Sequence, residues 1–141
     1  MSLHDNSGKC GYCFSIFNRY HGFDEGLRTW FEGLQEMSPE AHISCAGRGR
    51  MEQEAAFHKG ASKAHYGHSS HNFNAAIDVF KFAATVDEMY DRLWFHEVIA
   101  PALNHSLKWY GATGAVFYEL PHIEVNDWQD RAKKGELVLV E

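Results

Sequence analysis

The stretch Ser69-Ser70-His71-Asn72-Phe73-Asn74-Ala75-Ala76-Ile77-Asp78 places an imidazole and a carboxylate seven positions apart. About forty residues later, Glu119-Leu120-Pro121-His122-Ile123-Glu124 offers a second imidazole with a carboxylate three positions before it. Two histidines and one aspartate make a three-ligand zinc site that leaves a fourth position open for water. Glu119 is then a candidate base for that water. The two segments predict a fold that brings them together as the metal centre of a zinc hydrolase.

Length and composition indicate one globular domain. The chain has 141 residues, enough to bury a single hydrophobic core without disulfides. Hydrophobic residues make up 45% of it and aromatic residues 14%, and no low-complexity tract, repeat or Pro/Gly/Ser-rich linker divides it. We therefore predict a single domain over residues 1–141, without an accessory binding module.

Charge and hydropathy argue against several classes of protein. The formal net charge of −6 disfavours a general nucleic-acid binder, because phosphate contacts need a basic surface. No apolar run approaches the roughly 20 residues of a membrane span. Residues 1–6 are polar and lack the basic-then-apolar layout of a signal peptide. The sequence thus predicts a protein that is cytoplasmic as synthesised.

The cysteines Cys10, Cys13 and Cys45 cannot all pair, which argues against a disulfide framework. Cys10 and Cys13 have the spacing of a metal knuckle, and Cys45 with His21 or His42 would complete a structural zinc site. A second CxxC or a closely spaced Cys/His pair is missing, however. The favoured prediction is a pair of reduced thiols near a loosely held terminus.

Helical and extended patterns alternate along the chain. Apolar residues recur at helical spacing from Leu27 to Met37, after Asp24 as a potential N-cap. A shorter helix is predicted over 52–58. Strands are predicted over 42–46, 75–82, 115–118, 122–125 and 137–140.

A capping box at 85–88 predicts a further helix that buries Met89, Leu93, Phe95 and Ile99. Pro101 is expected to kink it or to start a second helix that runs to residue 109. Helices with short strands that carry the polar residues predict an α+β domain with a small antiparallel sheet.

A simpler interpretation competes with the metal site, because most histidines ligate nothing. His65 and His68 are best explained as solvated loop residues. Asp78 differs, since its apolar strand neighbours Ile77 and Val79 would make burial of an unpaired carboxylate expensive. Pro121 forbids a regular helix and bends the chain where the second motif would present its side chains.

The motifs resemble those of a zinc peptidase family that cuts peptidoglycan stem peptides, comprising D-alanyl-D-alanine carboxypeptidases and phage L-alanyl-D-glutamate endopeptidases. The family's first motif is Ser-x-His, six residues, then Asp, with a small residue two before the Asp. Its second is an acid, two residues, then His, often with Pro before the His and Trp shortly after. The matching positions are Ser69, His71, Ala76 and Asp78, then Glu119, Pro121, His122 and Trp128. The resemblance covers about 41–128, including Gly47, Arg48, Gln53 and 59–63, and implies a hedgehog/DD-peptidase-like α+β fold.

One position departs from the family pattern. The family commonly has Gly three residues after the first zinc histidine, where this chain has Asn74. Asn adopts the left-handed conformation more readily than other non-Gly residues, so we expect the turn to survive.

The resemblance implies a role for each site residue. His71, Asp78 and His122 would hold one Zn²⁺, and Glu119 would take the proton of the attacking water. Arg48 would polarise the scissile carbonyl or grip a stem-peptide carboxylate. The implied substrate-binding residues are Ser69, Lys63 and Trp128; Ser69 would alternatively support His71, and Glu124 or Trp128 would form an outer layer or pocket wall.

The predicted substrate is the bacterial peptidoglycan stem peptide. The resemblance favours a monomeric phage-type endolysin that cleaves between L-Ala and D-Glu. It would stay in the host cytoplasm until another protein permeabilises the membrane and opens the way to the periplasmic wall. Residues such as Arg50 and Lys59 would have to supply any local attraction to the anionic wall.

Two alternatives stay open. A D-Ala-D-Ala carboxypeptidase is the nearest, and the shape of the cleft would separate it from the endopeptidase. A zinc-binding interaction module without catalysis is the alternative of another class. Glu119 argues against that module, because a purely structural site needs no base beside an open position. A metal-dependent nuclease is weaker still, given the acidic charge.

Overall fold

Short helices and strands alternate along the part of the chain that the structure describes. The computed structural model describes residues 4–5, 10–111 and 119–141. The α-helices α1 to α7 are Gly11–Phe17, Glu25–Met37, Arg50–His58, Val86–Met89, Arg92–Trp94, Ala100–Ala102 and Trp128–Lys133. A 3-10 helix spans Ser70–Phe73, and a π-helical segment spans Phe95–Ile99. The strands β1 to β4 are Ala41–Cys45, Ala76–Lys81, Leu107–Trp109 and His122–Val125.

The strands form one antiparallel sheet in the order β1-β2-β4-β3. Sheet and helices together confirm the predicted α+β class. The strands predicted over 42–46, 75–82 and 122–125 are present as β1, β2 and β4, whereas that predicted over 115–118 lies outside the described residues.

One face of the sheet packs on α2 and forms the core. Asp24 caps α2 as predicted, because its side chain accepts a hydrogen bond from the Leu27 N–H at 2.9 Å. Leu27 and Phe31 are buried in the same cluster as Ile77 and Ile123 of the sheet. Met37, at the end of the predicted apolar stripe, is instead 87% exposed.

The helix predicted from the capping box at 85–88 is broken into short pieces. The Thr85 side chain does accept from the Glu88 N–H at 3.2 Å, but α4 ends at Met89. The chain restarts at α5, so Trp94 is buried while Leu93, predicted to be buried, is 62% exposed. None of the described helices has the length and apolar character that crossing a membrane requires.

Two predictions for the second half of the chain are wrong. The helix expected to reach residue 109 ends at Ala102, because Leu107–Trp109 pairs with β4 as a strand. The segment 137–140 is not a strand, since the backbone of Val140 bonds to the 3-10 helix and to a loop instead of to another strand. The Val140 N–H donates to the Asn72 carbonyl at 2.6 Å, and the Tyr66 hydroxyl donates to the Val140 carbonyl at 2.7 Å.

Cys10 and Cys13 are not at a loosely held terminus. Both side chains are buried, at 0% and 1% exposure, and belong to the hydrophobic core. Both are free thiols, as predicted. The helix that begins between them, α1, contacts β1. Anchoring to this strand accounts for their burial.

Candidate active site

The pairing of β2 with β4 brings Asp78 and His122 together. They lie directly opposite each other in the antiparallel register, as do their neighbours Ile77 and Ile123. Successive side chains on a strand point to opposite faces, so the isoleucine pair faces the core and the Asp78–His122 pair faces the other side. Asp78 Oδ1 lies 3.3 Å from His122 Nδ1.

His71 reaches the same carboxylate from the 3-10 helix that precedes β2. The Ser69 hydroxyl accepts from the His71 N–H at 3.3 Å at the start of this helix. Asn74 ends the helix at φ 55° and ψ 34°, the left-handed conformation predicted for it. His71 Nε2 lies 3.2 Å from Asp78 Oδ1. A Cβ at Gly47 would overlap Asn74 Oδ1, so a larger residue there would force the Asn74 side chain to shift.

Hydrogen bonds at the far side of each ring define which imidazole nitrogens face Asp78. His71 Nδ1 lies 2.7 Å from the Ala46 carbonyl oxygen. His122 Nε2 lies 2.7 Å from Glu124 Oε1. Because a carbonyl or carboxylate oxygen only accepts, both of these nitrogens carry hydrogen. This leaves His71 Nε2 and His122 Nδ1 to offer lone pairs to a cation.

Glu124 is the anchor behind His122. Its Oε1, which bonds to the His122 ring, also accepts from the Ser70 hydroxyl at 2.9 Å. Its Oε2 accepts from the Trp128 indole N–H at 2.9 Å and from the Tyr110 hydroxyl at 3.3 Å. A carboxylate behind a ligating histidine fixes the orientation and tautomer of the ring. Glu124 therefore lies directly behind His122, and Trp128 lies behind Glu124.

The donor set fits a zinc ion. Tetrahedral zinc with bonds of about 2.0 Å places neighbouring oxygen and nitrogen ligands about 3.3 Å apart. Asp78 Oδ1 is 3.2 Å and 3.3 Å from the two histidine nitrogens that face it. Cys45 also lies near His71 and Asp78. Its sulfur is 3.8 Å from His71 Nδ1, however, the nitrogen that already donates to a carbonyl.

Asp78 favours the charged forms of His71 and His122, and both imidazoles favour the charged form of Asp78. Burial raises the pKa of Asp78, but the opposing effect of His71 and His122 is larger and holds it well below its usual range. Burial lowers the pKa of His71, but the Asp78 carboxylate and Cys45 outweigh it and raise the pKa well above the ordinary value. The pKa of His122 is also raised, because hydrogen bonds to Asp78 and Glu124 outweigh burial. The site thus attracts positive charge, whether protons or a metal ion.

Glu119 lies beside this cluster. A carboxylate oxygen of Glu119, one of Asp78 and a ring nitrogen of His122 lie within 4.8 Å of one another. Burial raises the pKa of Glu119, and the Asp78 charge raises it further, while His122, His71 and Arg48 act in the opposite direction. A carboxylate with a raised pKa is suited to accept a proton near neutral pH.

The Arg48 guanidinium contacts three neighbouring protein groups. It donates to Gln53 Oε1 at 3.0 Å and to the Cys45 sulfur at 3.5 Å, and it lies 3.7 Å from Asp78 Oδ2. The charge therefore faces the Asp78 oxygen that is turned away from the histidines. Gln53 in turn donates to the Ser62 hydroxyl at 2.9 Å, which ties Arg48 to the loop before the first motif.

All eight residues predicted for the site line one open cavity of about 470 Å³. These are Arg48, Lys63, Ser69, His71, Asp78, Glu119, His122 and Trp128. Lys63 is exposed on the loop at its rim. Trp128 forms part of the wall, and Ser69 supports the backbone of His71.

Sequence reasoning missed Ser70 and Tyr110, which also line the cavity and bond to Glu124. Ser70 occupies the unspecified position of the Ser-x-His motif and therefore carried no signal of its own. Tyr110 was assigned to the end of a helix, whereas it directly follows β3. His122 and Glu124 are two positions apart on a predicted strand, so their side chains lie on the same face. This spacing was the available signal for Glu124.

Replacing Glu124 by Gln is expected to weaken zinc binding at this site by about 10- to 100-fold, because the ring of His122 loses its charged partner. Competition with a chelating dye would measure the dissociation constant. The matched control is Glu136→Gln, at an exposed position that does not line this cavity. Equal zinc affinity in Glu124→Gln and the parent protein would contradict the assigned role.

Comparison with known proteins identifies the fold. The structure is similar to the crystal structure of the L-Ala D-Glu endopeptidase ChiX from Serratia marcescens, with a TM-score of 0.67. The match covers 92% of this chain and 98% of that chain at 16% sequence identity. No protein-family model and no curated protein matches the chain. At this identity the likeness establishes a shared fold.

Proposed function

We propose that this protein is a zinc peptidase that hydrolyses peptidoglycan stem peptides at the L-Ala–D-Glu bond. One observation carries the proposal. Asp78 lies between imidazole nitrogens of His71 and His122, and the outer nitrogen of each ring is already hydrogen-bonded. Glu119 lies beside them in the same cavity. Three ligands with a neighbouring carboxylate are what metal-assisted hydrolysis requires.

Zinc would be held by His71 Nε2, Asp78 and His122 Nδ1. When bound, it supplies a Lewis acid that polarises the scissile carbonyl and acidifies water. The Glu119 carboxylate accepts the proton of the attacking water and delivers it to the nitrogen of the leaving amine. Its burial favours this exchange, because the neutral acid is not strongly disfavoured there.

The remaining predicted residues orient zinc ligands and substrate. We assign to Arg48 the positioning of Asp78, with its cavity-facing side available to a substrate carbonyl or carboxylate. Lys63 lies at the cavity rim and Lys108 lines the same cavity, so both place positive charge where a stem-peptide carboxylate would bind. Ser69 and Trp128 complete the wall.

The choice of bond is supported by the similar fold of an L-Ala D-Glu endopeptidase. The role of a phage-type endolysin belongs to the same proposal. Such an enzyme would be made in the host cytoplasm, act as a monomer and reach the periplasmic wall after membrane permeabilisation. The resemblance of both sequence motifs to phage endopeptidases supports this role.

Digestion of purified Gram-negative peptidoglycan tests the activity. Mass spectrometry is expected to find peptides with a new D-Glu N-terminus in the zinc-loaded sample, none after chelation, and the same peptides after zinc is restored. Loss of terminal D-Ala alone would show the carboxypeptidase instead. A folded, zinc-loaded sample that yields no metal-dependent product would favour the interaction module.

A further inference from the structure

A second group of metal-binding side chains lies away from the cavity. Cys10 and Cys13 flank the start of α1, His42 lies on β1, and His4 lies in the segment that precedes α1. One ligand atom from each of the four lies within 4.8 Å of every other. The zinc site considered from the sequence combined Cys10 and Cys13 with Cys45 and with His21 or His42, and of these partners only His42 lies in the cluster. Cys45 lies instead beside His71, and His4 takes the remaining place.

We propose that His4, Cys10, Cys13 and His42 form a structural zinc site, separate from the catalytic ligands. Four protein ligands leave no open coordination position, which is the arrangement of a structural rather than a catalytic zinc. This proposal does not depend on the proposed peptidase activity.

Three sulfur–nitrogen distances within the cluster match the edges of a zinc tetrahedron. With Zn–S bonds of about 2.3 Å and Zn–N bonds of about 2.0 Å, sulfur and nitrogen ligands lie about 3.5 Å apart. His4 Nδ1 is 3.5 Å from the Cys10 sulfur and 3.4 Å from the Cys13 sulfur. His42 Nδ1 is 3.4 Å from the Cys13 sulfur. His4 and His42 thus each direct their Nδ1 atom towards the pair of cysteines.

Backbone N–H groups support thiolate charge on both sulfurs. The Asp5 and Cys13 N–H groups donate to the Cys10 sulfur at 3.3 Å and 3.4 Å. The Ile43 N–H donates to the Cys13 sulfur at 3.5 Å. Hydrogen bonds of this kind orient metal ligands and tune their charge.

Charge balance makes the site compatible with burial. Cys10 and His42 are fully buried and Cys13 is 1% exposed. On binding, each thiol releases its proton to solvent and each sulfur forms one bond to Zn²⁺. Two thiolates and two neutral imidazoles around Zn²⁺ give a net charge of zero, so the buried site carries no uncompensated charge.

The position of the cluster indicates what the site does. β1 is an outer strand of the sheet, and its Ile43 N–H points to the Cys13 sulfur instead of to another strand. Zinc would fasten the segment with His4 and α1 across this outer edge. Covering the edge in this way protects it from pairing with another chain.

Metal content tests the proposal. The purified wild-type protein is expected to hold two zinc ions per chain by elemental analysis and native mass spectrometry. The double variant Cys10→Ser/Cys13→Ser is expected to lose one of them, and His42→Gln the same one. His105→Gln, at an exposed position, is the control for this site.

His122→Ala separates this proposal from the proposed peptidase site. It is expected to lose the other zinc ion and to keep the ion bound by the cysteines. If His122→Ala keeps its full zinc content while the cysteine variant loses one ion, the peptidase proposal fails and the structural site stands. Equal zinc content in the cysteine variant and the wild-type protein would overturn the structural site.

A second experiment keeps both Cys10 and Cys13. It tests the site even when the cysteine variants do not fold. In native Cys45→Ser, a mercurial that modifies Cys10 and Cys13 is expected to release one zinc ion per chain, detected by a chelating dye. Substitution with Co²⁺ is expected to produce a thiolate charge-transfer absorption that the same reagent abolishes. Thiols that react without metal release, or a disulfide between them in the purified protein, would refute the site.

Discussion

Glu119→Gln is expected to lower kcat for peptidoglycan hydrolysis by about 10²- to 10⁴-fold while the fold and zinc content stay unchanged. Gln has the size of Glu but cannot accept a proton from the attacking water or carry it to the leaving amine. The zinc ligands His71, Asp78 and His122 are untouched, so metal affinity is retained. Release of stem peptides, followed by mass spectrometry, measures the rate.

Glu97→Gln is the matched control for this substitution, because it makes the same chemical change at an exposed position outside the cavity. It is expected to hydrolyse peptidoglycan at the parent rate. Circular dichroism and elemental analysis would show that both variants are folded and carry the same zinc. Unchanged hydrolysis by Glu119→Gln would refute the assigned base.

His71→Ala is expected to lose the catalytic zinc ion and all metal-dependent hydrolysis. Two effects lower the stability of the variant. Zinc that binds only the folded state contributes about 2.7 kcal/mol when its concentration is 100 times the dissociation constant, and this term is lost. In the metal-free protein, where His71 pairs with Asp78 instead of with zinc, the variant loses one of the two imidazoles that hold the buried Asp78 charge, and breaking a buried ion pair costs about 3–5 kcal/mol.

Thermal unfolding of His71→Ala with and without added zinc measures this effect. The parent protein should show a higher Tm when zinc is added to the chelated sample. In the variant, the part of this increase that comes from the catalytic site should be absent. His58→Ala, at an exposed position of α3, should behave like the parent. A variant that retains the parent's zinc content and Tm response would exclude His71 as a ligand.

The sequence predicted the elements that position the site because their signals were local. The cap at Asp24 and the apolar stripe that follows specify α2, and both are properties of neighbouring residues. Asp78 stood out because a carboxylate among apolar strand residues needs a partner. His71 and His122 were identified with it because spacing and resemblance supported the same residues.

The features that sequence analysis missed depend on distant pairing. Leu107–Trp109 carries helical spacing, but its pairing with β4 determines that it is a strand. Trp94 is buried in place of Leu93, because the break after Met89 rotates the following turn. For the same reason the sequence named Cys45 and His21 beside His42 as partners of Cys10 and Cys13, and it missed His4.

Because Asp78 and His122 lie on two different strands, the proposed metal site is complete only after those strands have paired. The two residues are separated by forty-four positions, so they meet only when β4 docks against β2. A slip of one residue in this pairing would turn the His122 ring into the core and Ile123 into the cavity. Closing so long a loop costs entropy before its contacts form. A zinc ion at the proposed site would therefore find Asp78 and His122 together only after β4 has paired with β2 in the correct register.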